Sequence, residues 1–500
     1  MNNSYFMVFD FGTGAGKVII FDKSGNIIAK STRKWNYINI DDSLEFSSEE
    51  FWNKFCNCVQ DIINKCKIDF NSIVSITSAS QREGIVLLDE KDNVLYAGPN
   101  FDERGKKYNN ELAKLYGKKI YQKTGHWPES IFLPGRLYWF KEKKPNIYKK
   151  IKKVLLLNDF ILYKLTGNKY SEPTNASETL LYNIKSKNWD NELLNIMNFS
   201  SEIFCPVKNN GEIYGYLKEE LACKWGLHPN VPVIVGAADT QCALLGCGLY
   251  YPGNIGIVAG STCPIQMIID KPLIDRKMRT WTSPYVRKNS YVLEANTGPT
   301  GLLIEWIRKS FYSNLNNTKE AFKIMEQEAS CLPPGSKGVR SYIGPAISDV
   351  KDKKVLNIRH ILGLPKNYFE SNGRGLLVRS SLENIAFAIN ANINLLEEIS
   401  GIKPSMCVIT GGNTNNKILL KIIASLIDIP FYITTQEATA LGAAMCAAVG
   451  IGYYKNLEQA IEKMQFTLKE VKRDRKLRQE YKKYFRKWKN TFNKLRGCYE

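Results

Sequence analysis

Three stretches of this chain bring together residue types that could do chemistry. The first is Asp10-Phe11-Gly12-Thr13-Gly14-Ala15-Gly16-Lys17. An apolar run ends in a carboxylate, a glycine turn follows, and a lysine opens a second apolar run, which is the pattern of a hairpin. Glycines let backbone approach a ligand closely, and successive amides in such a turn form an anion-binding nest. Asp10 stands where a carboxylate could hold a metal ion beside bound phosphates; Thr13 adds a hydroxyl and Lys17 a cation. The same letters also read as an ordinary hairpin turn. They are not a Walker loop, because three residues separate Gly12 from Gly16 and Val18 follows the lysine. They are not a dinucleotide fingerprint either, because the turn opens a strand and not a helix.

The second stretch is Ser80-Gln81-Arg82-Glu83-Gly84, at the end of a strand predicted over 73–79. Adjacent Arg and Glu there read either as a salt bridge at a sheet edge or as a pocket for hydroxyl groups, Arg donating and Glu accepting. Asp102 and Arg104 either join that pocket or cap a helix that begins at Lys106. The third stretch is Gly236-Ala237-Ala238-Asp239-Thr240, which follows a strand over 231–235. Asp239 falls at a strand-to-helix junction, where open α/β sheets present catalytic groups, and it is also suited to be the helix N-cap.

Several predicted elements would position these groups. Ser47 with Glu50 three residues on starts a helix whose Phe51, Trp52, Phe55, Val59, Ile62 and Ile63 recur at helical spacing. The strand–turn–strand pattern of the N-terminus returns at 255–269, with Ala259-Gly260-Ser261-Thr262 as its turn, so the fold reads as duplicated. Thr297 to Gly301 open a helix whose free amides favour anions. A helix over 380–399, a strand over 406–410 entering Gly411-Gly412-Asn413-Thr414-Asn415, and a small-residue helix from Glu437 complete the second half. Small residues there let a base and ribose lie against backbone. The expected division is 1–251, 252–455 and a basic, aromatic, helical tail over 456–500. Thr174-Asn175-Ala176-Ser177 is polar and small, like a cleft lining, and takes no role.

Five hundred residues exceed one ordinary core, so two domains are the default. The first residues carry no signal-peptide pattern, and the uncharged run 438–454 is too short and too rich in Ala and Gly to span a bilayer. Twelve cysteines without a C-x-x-C pair, and only three histidines, argue against zinc and for reduced thiols in the cytoplasm. The charge of +20 suits a nucleic-acid surface or a lysine-rich coding bias; its excess lies over 469–494, away from the motifs, which favours the second.

Taken in order, DFGTGAGK, QREG, NFDER, GAADTQ, AGST, TGGNTNN and EATALGAA resemble an FGGY-family carbohydrate kinase of the actin-like ATPase superfamily, over about residues 5–450. The resemblance implies two ribonuclease-H-like α/β domains with ATP in the cleft between them. It implies Asp10 beside Mg2+, and Gly12, Thr13, Gly14 and Lys17 as one phosphate hairpin. It further implies Gly260, Ser261 and Thr262 as the other, Gly301 on the phosphate path, and Gly411, Gly412 and Asn415 at the adenosine. Arg82, Glu83 and Asp102 would bind the sugar or polyol, and Asp239 would be the catalytic base. Arg82-Glu83 resembles glycerol kinases, yet Ile131 stands where those place a substrate-contacting Tyr. Lys17 is closer to xylulose kinases, which usually carry Met-His in place of Gln81-Arg82-Glu83. REGIVLLD, NFDER and LPGRLYW together are most similar to autoinducer-2 kinases, which implies a five-carbon dihydroxy-dione acceptor, with another ketose or polyol as alternative. An actin-like chaperone or scaffold ATPase would keep the hairpins without needing Arg82, Glu83 or Asp239. The expected partner is a small sugar-like molecule, with neither nucleic acid nor membrane, and a homodimer is left open.

Overall fold

In the computed structural model, residues 4–40, 43–352, 355, 358–366, 373–434, 437–464 and 466–498 are described. Two sheets organise them. The first runs, in spatial order, Ile213–Tyr216, Pro232–Ala238, Ile73–Ser80, Tyr5–Phe11, Ala15–Asp22 and Ile27–Lys34. Tyr5–Phe11 is antiparallel to Ala15–Asp22 and parallel to Ile73–Ser80, which is in turn parallel to Pro232–Ala238. The second runs Trp281–Pro284, Tyr291–Pro299, Thr262–Ile269, Asn254–Val258, Met406–Thr410, Phe431–Ile433 and Lys469–Glu470. Asn254–Val258 is likewise antiparallel to Thr262–Ile269 and parallel to Met406–Thr410. A meander of three strands followed by two parallel crossovers therefore occurs twice. Every residue of Tyr5–Phe11 is buried, as expected for a strand covered on both faces.

Local chemistry sets the element ends. Ser47 Oγ accepts the Glu50 N–H at 3.2 Å and caps the helix Ser48–Lys65, which buries Phe51, Phe55, Val59 and Ile62. The helices Asp239–Gly246 and Ala438–Gly450 cross at glycines between the two sheets. A Cβ on Gly246 would stand 1.9 Å from Ala438 O, and one on Gly442 1.9 Å from Cys242 O. Neither position accepts a side chain without prising the helices apart.

The basic segment at the chain's end is folded onto the second sheet's helices. Its strand Lys469–Glu470 pairs with Phe431–Ile433. Its helix Arg475–Gly497 buries Tyr481, Trp488 and Phe492, and Trp488 Nε1 donates to Asn384 Oδ1 at 2.8 Å. No helix among the described residues is long and apolar enough to cross a membrane. The twelve cysteines are unpaired.

Candidate active site

The first glycine turn joins Tyr5–Phe11 to Ala15–Asp22, with Asp10 directly opposite Lys17 in the register. Its carbonyls are occupied. Trp35 Nε1 donates to Gly12 O at 2.9 Å, the Tyr37 hydroxyl to Thr13 O at 2.6 Å, and the Trp35 N–H to Gly14 O at 3.2 Å. What the tip has left to offer a ligand is N–H, and a Cβ on Gly14 would meet nothing within 4 Å. Lys17 Nζ lies 3.6 Å from Asp10 and 2.7 Å from Glu437, whose other oxygen pairs with Lys30. Burial lifts the Asp10 carboxyl to about 6 against the pull of Lys17, with Glu437 adding to the rise. A buried carboxyl in that condition welcomes a cation.

The second turn, at Gly260-Ser261-Thr262, is held from another direction. Gly260 O accepts the Gly301 N–H at 3.1 Å, and Ser261 O accepts those of Thr300 and Leu302 at 3.1 and 3.2 Å. This corrects the expectation that the Thr297–Gly301 helix start offers its amides to an anion: three of them are spent on the hairpin. Gly301 is glycine for close approach, since a Cβ would stand 2.5 Å from Gly260 O. Gly411 has φ +100°, and a Cβ on it would meet Ala259 O at 2.7 Å. Beyond these turns a cavity of about 400 Å³ is lined by Gly301, Ile304, Lys319, Phe322, Gly412 and Asn415, among others. Gly301 thus meets Gly412 and Asn415, from a distant stretch of the sequence, in one concave site.

Asp239 is the first residue of its helix; Ala238 occupies the cap position and supplies no side-chain cap. The N-cap reading therefore does not hold, and the carboxyl is left to the site, with only Oδ1 accepting the Thr240 N–H at 2.7 Å. The junction is fixed from behind: Thr174 Oγ1 accepts the Ala238 N–H at 2.7 Å and itself donates to buried Glu172. Burial raises the Asp239 carboxyl to about 7, opposed by Arg82, with Asp10 and then Glu294 contributing like charge. Those groups lie near enough for their charges to act on Asp239.

Arg82 is buried and multiply paired. Nη1 and Nη2 donate to the two carboxylate oxygens of Glu294 at 2.8 and 3.1 Å, and Nη1 lies 3.4 Å from Glu178. Glu83 adopts φ 59°, uncommon for a residue with a side chain, and its carboxyl lies 3.8 Å from Arg82 Nε. Burial, resisted by Arg82 and reinforced by Glu178, pushes Glu83 well above the usual range. Burial would raise Glu178 too, but His126 and Arg82 outweigh it and hold that carboxyl at about 2. His126 Nε2 stands 3.2 Å from Glu178, and Ser283 Oγ donates to Glu178 at 3.0 Å.

Asp102 is not brought to this cluster. Its fully buried carboxyl accepts from Arg104 Nε at 2.6 Å, from the Tyr96 hydroxyl and from the Arg104 N–H. Arg104 in turn lies 4.5 and 4.7 Å from the Tyr96 and Trp139 rings and pairs with Glu45. Among the described residues, no contact joins Asp102 to Arg82 or Glu83. Its carboxylate is spent on structure. Sequence reasoning passed over Glu178 and Glu294. Glu178 directly follows the polar stretch 174–177, and Glu294 is a lone charge directly after the apolar run Tyr291-Val292-Leu293.

Models of the N- and C-terminal domains of the FGGY family of carbohydrate kinases match residues 5–246 and 256–451. Autoinducer-2 kinases of Yersinia enterocolitica and Yersinia pestis are each 29% identical over 478 residues, 93% of this chain and 89% of theirs. Among solved structures, a ligand-bound xylulose kinase from Lactobacillus acidophilus superposes with a TM-score of 0.88 at 21% identity, covering 99% of both chains. Plasmodium falciparum glycerol kinase with ADP gives 0.84 at 21%, covering 99% of this chain and 98% of that one. These structures share the actin-like ATPase fold, and kinases of the matched family use ATP. With both domain models matched in order over most of its length, the chain belongs to the FGGY family of carbohydrate kinases and is a phosphotransferase.

Proposed function

We propose that this kinase phosphorylates a hydroxyl of 4,5-dihydroxy-2,3-pentanedione, the autoinducer-2 signal, with Asp239 as the base. Two lines support this acceptor over glycerol or a xylulose- or ribulose-type ketose. The curated relatives that span nearly the whole chain are named autoinducer-2 kinases. Arg82 keeps N–H groups that can donate to a carbonyl oxygen, and a dione presents two where a ketose presents one and glycerol none.

The observation that carries the reading is Asp239: a carboxyl raised to about 7, unspent on capping, and near enough to Arg82 and Asp10 for both charges to act on it. Gly12, Thr13, Gly14 and Lys17 on one side, with Gly260, Ser261 and Thr262 on the other, would hold the phosphates of ATP, and Gly301 would line their path. Gly411, Gly412 and Asn415 would hold its adenosine, the last two in the cavity they share with Gly301. Asp10 fits Mg2+, a hard cation that takes one or two carboxylates together with phosphate oxygens. Bound ATP supplies the phosphoryl group, and the cation offsets charge on its oxygens. The chain's own residues do the rest. Arg82 and Glu83 orient the acceptor, Asp239 accepts its hydroxyl proton, and turn amides neutralise charge that grows in the transition state. The halves 1–251 and 252–455 would close on the acceptor and exclude water. We place the reaction in the cytoplasm, where ATP is at hand.

A coupled ADP-release assay over the dione, D-xylulose, D-ribulose and glycerol tests the acceptor. The dione is expected to give the highest kcat/KM, by at least about tenfold. A ketopentose or glycerol turned over equally well would replace it.

A further inference from the structure

We infer that Glu294 is a positioning residue through which the second half of the molecule completes the acceptor pocket; this rests on the reading of Arg82 as an acceptor ligand. The second sheet presents a row of three residues. Glu294 is the register partner of Gln266 on one side and of Trp281 on the other. All three meet groups of the first half. Arg82 lies 5.9 Å over the Trp281 ring and makes its two-point contact with Glu294. Gln266 Nε2 donates to Glu294 Oε2 at 2.6 Å and lies 3.4 Å from the Oγ1 of Thr240, the residue after Asp239. One carboxylate therefore touches the acceptor ligand directly and reaches the neighbour of the base through one amide.

The donor count shows what this contact does. A guanidinium has five N–H groups in a fixed fork. Glu294 takes two of them and Glu178 a third, which leaves Nε–H and one Nη2–H for an acceptor. The other two acids near Arg82, Glu178 at 3.4 Å and Glu83 at 3.8 Å, both belong to the first half. Without Glu294, only the uncharged Trp281 ring meets Arg82 from the far side among the described residues, and the fork turns back toward the acids of its own domain. With Glu294 in place, the fork is oriented only when the two halves are together. Acceptor recognition and closure are thereby one event.

The test uses the full-length enzyme, with the dione, D-xylulose and glycerol as acceptors and KM for acceptor and for ATP read separately. Glu294→Gln keeps the shape and removes the charge; it is expected to raise acceptor KM at least tenfold and to leave ATP KM within twofold. In an Arg82→Ala background the same change is expected to add less than twofold, because its target is gone. A general loosening of the fold would instead raise both KM values and add to Arg82→Ala, and either result overturns the inference. Unchanged acceptor KM in Glu294→Gln, with Arg82→Ala impaired, also overturns it but leaves the acceptor-site reading intact. Unchanged acceptor KM in Arg82→Ala removes both. If Glu294→Gln fails to fold, Gln266→Leu, which leaves Glu294 in place but removes the amide that bonds it and reaches Thr240, is expected to raise acceptor KM about threefold. No rise there is a refutation.

Discussion

The two glycine turns sit at equivalent places in two copies of one topology, yet they are held by different means. At Gly12-Thr13-Gly14 the carbonyls are taken by side chains and backbone of Trp35 and Tyr37, both from the loop after the strand Ile27–Lys34. At Gly260-Ser261 they are taken by the first amides of a helix about forty residues on. Both arrangements occupy the C=O groups, and each turn also spends its leading glycine's N–H on itself, Gly12 on Ala15 O and Gly260 on Thr262 O. Charge is distributed unequally as well: the first turn carries Asp10, Lys17 and, paired with Lys17, Glu437, while Gly260, Ser261 and Thr262 carry none. Two glycine turns occupy equivalent places, and only the first carries charged side chains.

The comparison extends to the acids near the two crossing helices, and the largest expected effect lies there. Asp239 opens one helix, within reach of the charges of Arg82 and Asp10; Glu437 precedes the other and is paired with Lys17 and Lys30. Asp239→Asn is expected to lower kcat by about 10³-fold, within the range for loss of a general base, with ATP affinity changed less than about twofold. Glu437→Gln is expected to change ATP KM by only about threefold, since partly exposed ion pairs contribute little. Equal losses in the two variants would erase the distinction between base and tether.

The next effect separates the turns themselves. Gly301→Ala drives a Cβ against Gly260 O, whereas Gly14→Ala meets open space. The first is expected to raise ATP KM about tenfold, the second less than twofold. Trp35→Phe keeps an aromatic ring over Gly16 but loses the indole donor to Gly12 O, and is expected to raise ATP KM about twofold. A larger effect for Gly14→Ala than for Gly301→Ala would mean that side chains, not close backbone approach, shape these turns.

How far this site could be read from letters alone follows from how local each signal is. The Asp10–Lys17 turn and its echo at Gly260 were legible because glycine spacing between apolar runs is a property of adjacent residues. Asp239 was legible as a junction residue, but base and N-cap differ by one position, which only the helix start decides. The amides at Thr300 and Gly301 read as free because their acceptors lie forty residues away. Asp102 read as pocket or cap because a buried carboxylate looks the same in sequence whether Arg104 or a ligand satisfies it. Glu294 was invisible as a partner of Arg82, since 212 positions separate them. Topology was recoverable from pattern, while each cross-domain contact needed the folded chain.

The smallest effect is one of stability, and it sharpens the contrast between Asp239 and Glu437. Asp239 titrates near 7 when folded against an ordinary value of 3.8, so the folded state binds more protons than the unfolded one between those values. Stability contributed by the protonated form is therefore full below about 3.8 and lost as pH rises through about 7. Glu437 has the opposite sign: burial raises it, but hydrogen bonds from Lys17 and Lys30 hold it below its ordinary value. Its contribution is present at neutral pH and lost in acid. Asp239→Asn is accordingly expected to raise Tm by about 1–2 °C at pH 8 and by clearly less near pH 5, where the native carboxyl already carries a proton and only the unfolded one is ionised. Glu437→Gln is expected to lower Tm at pH 8 by a similar amount. A Tm gain for Asp239→Asn that is the same at pH 5 and pH 8 would show that packing, and not a carboxylate held against its burial, sets the energetics of this junction.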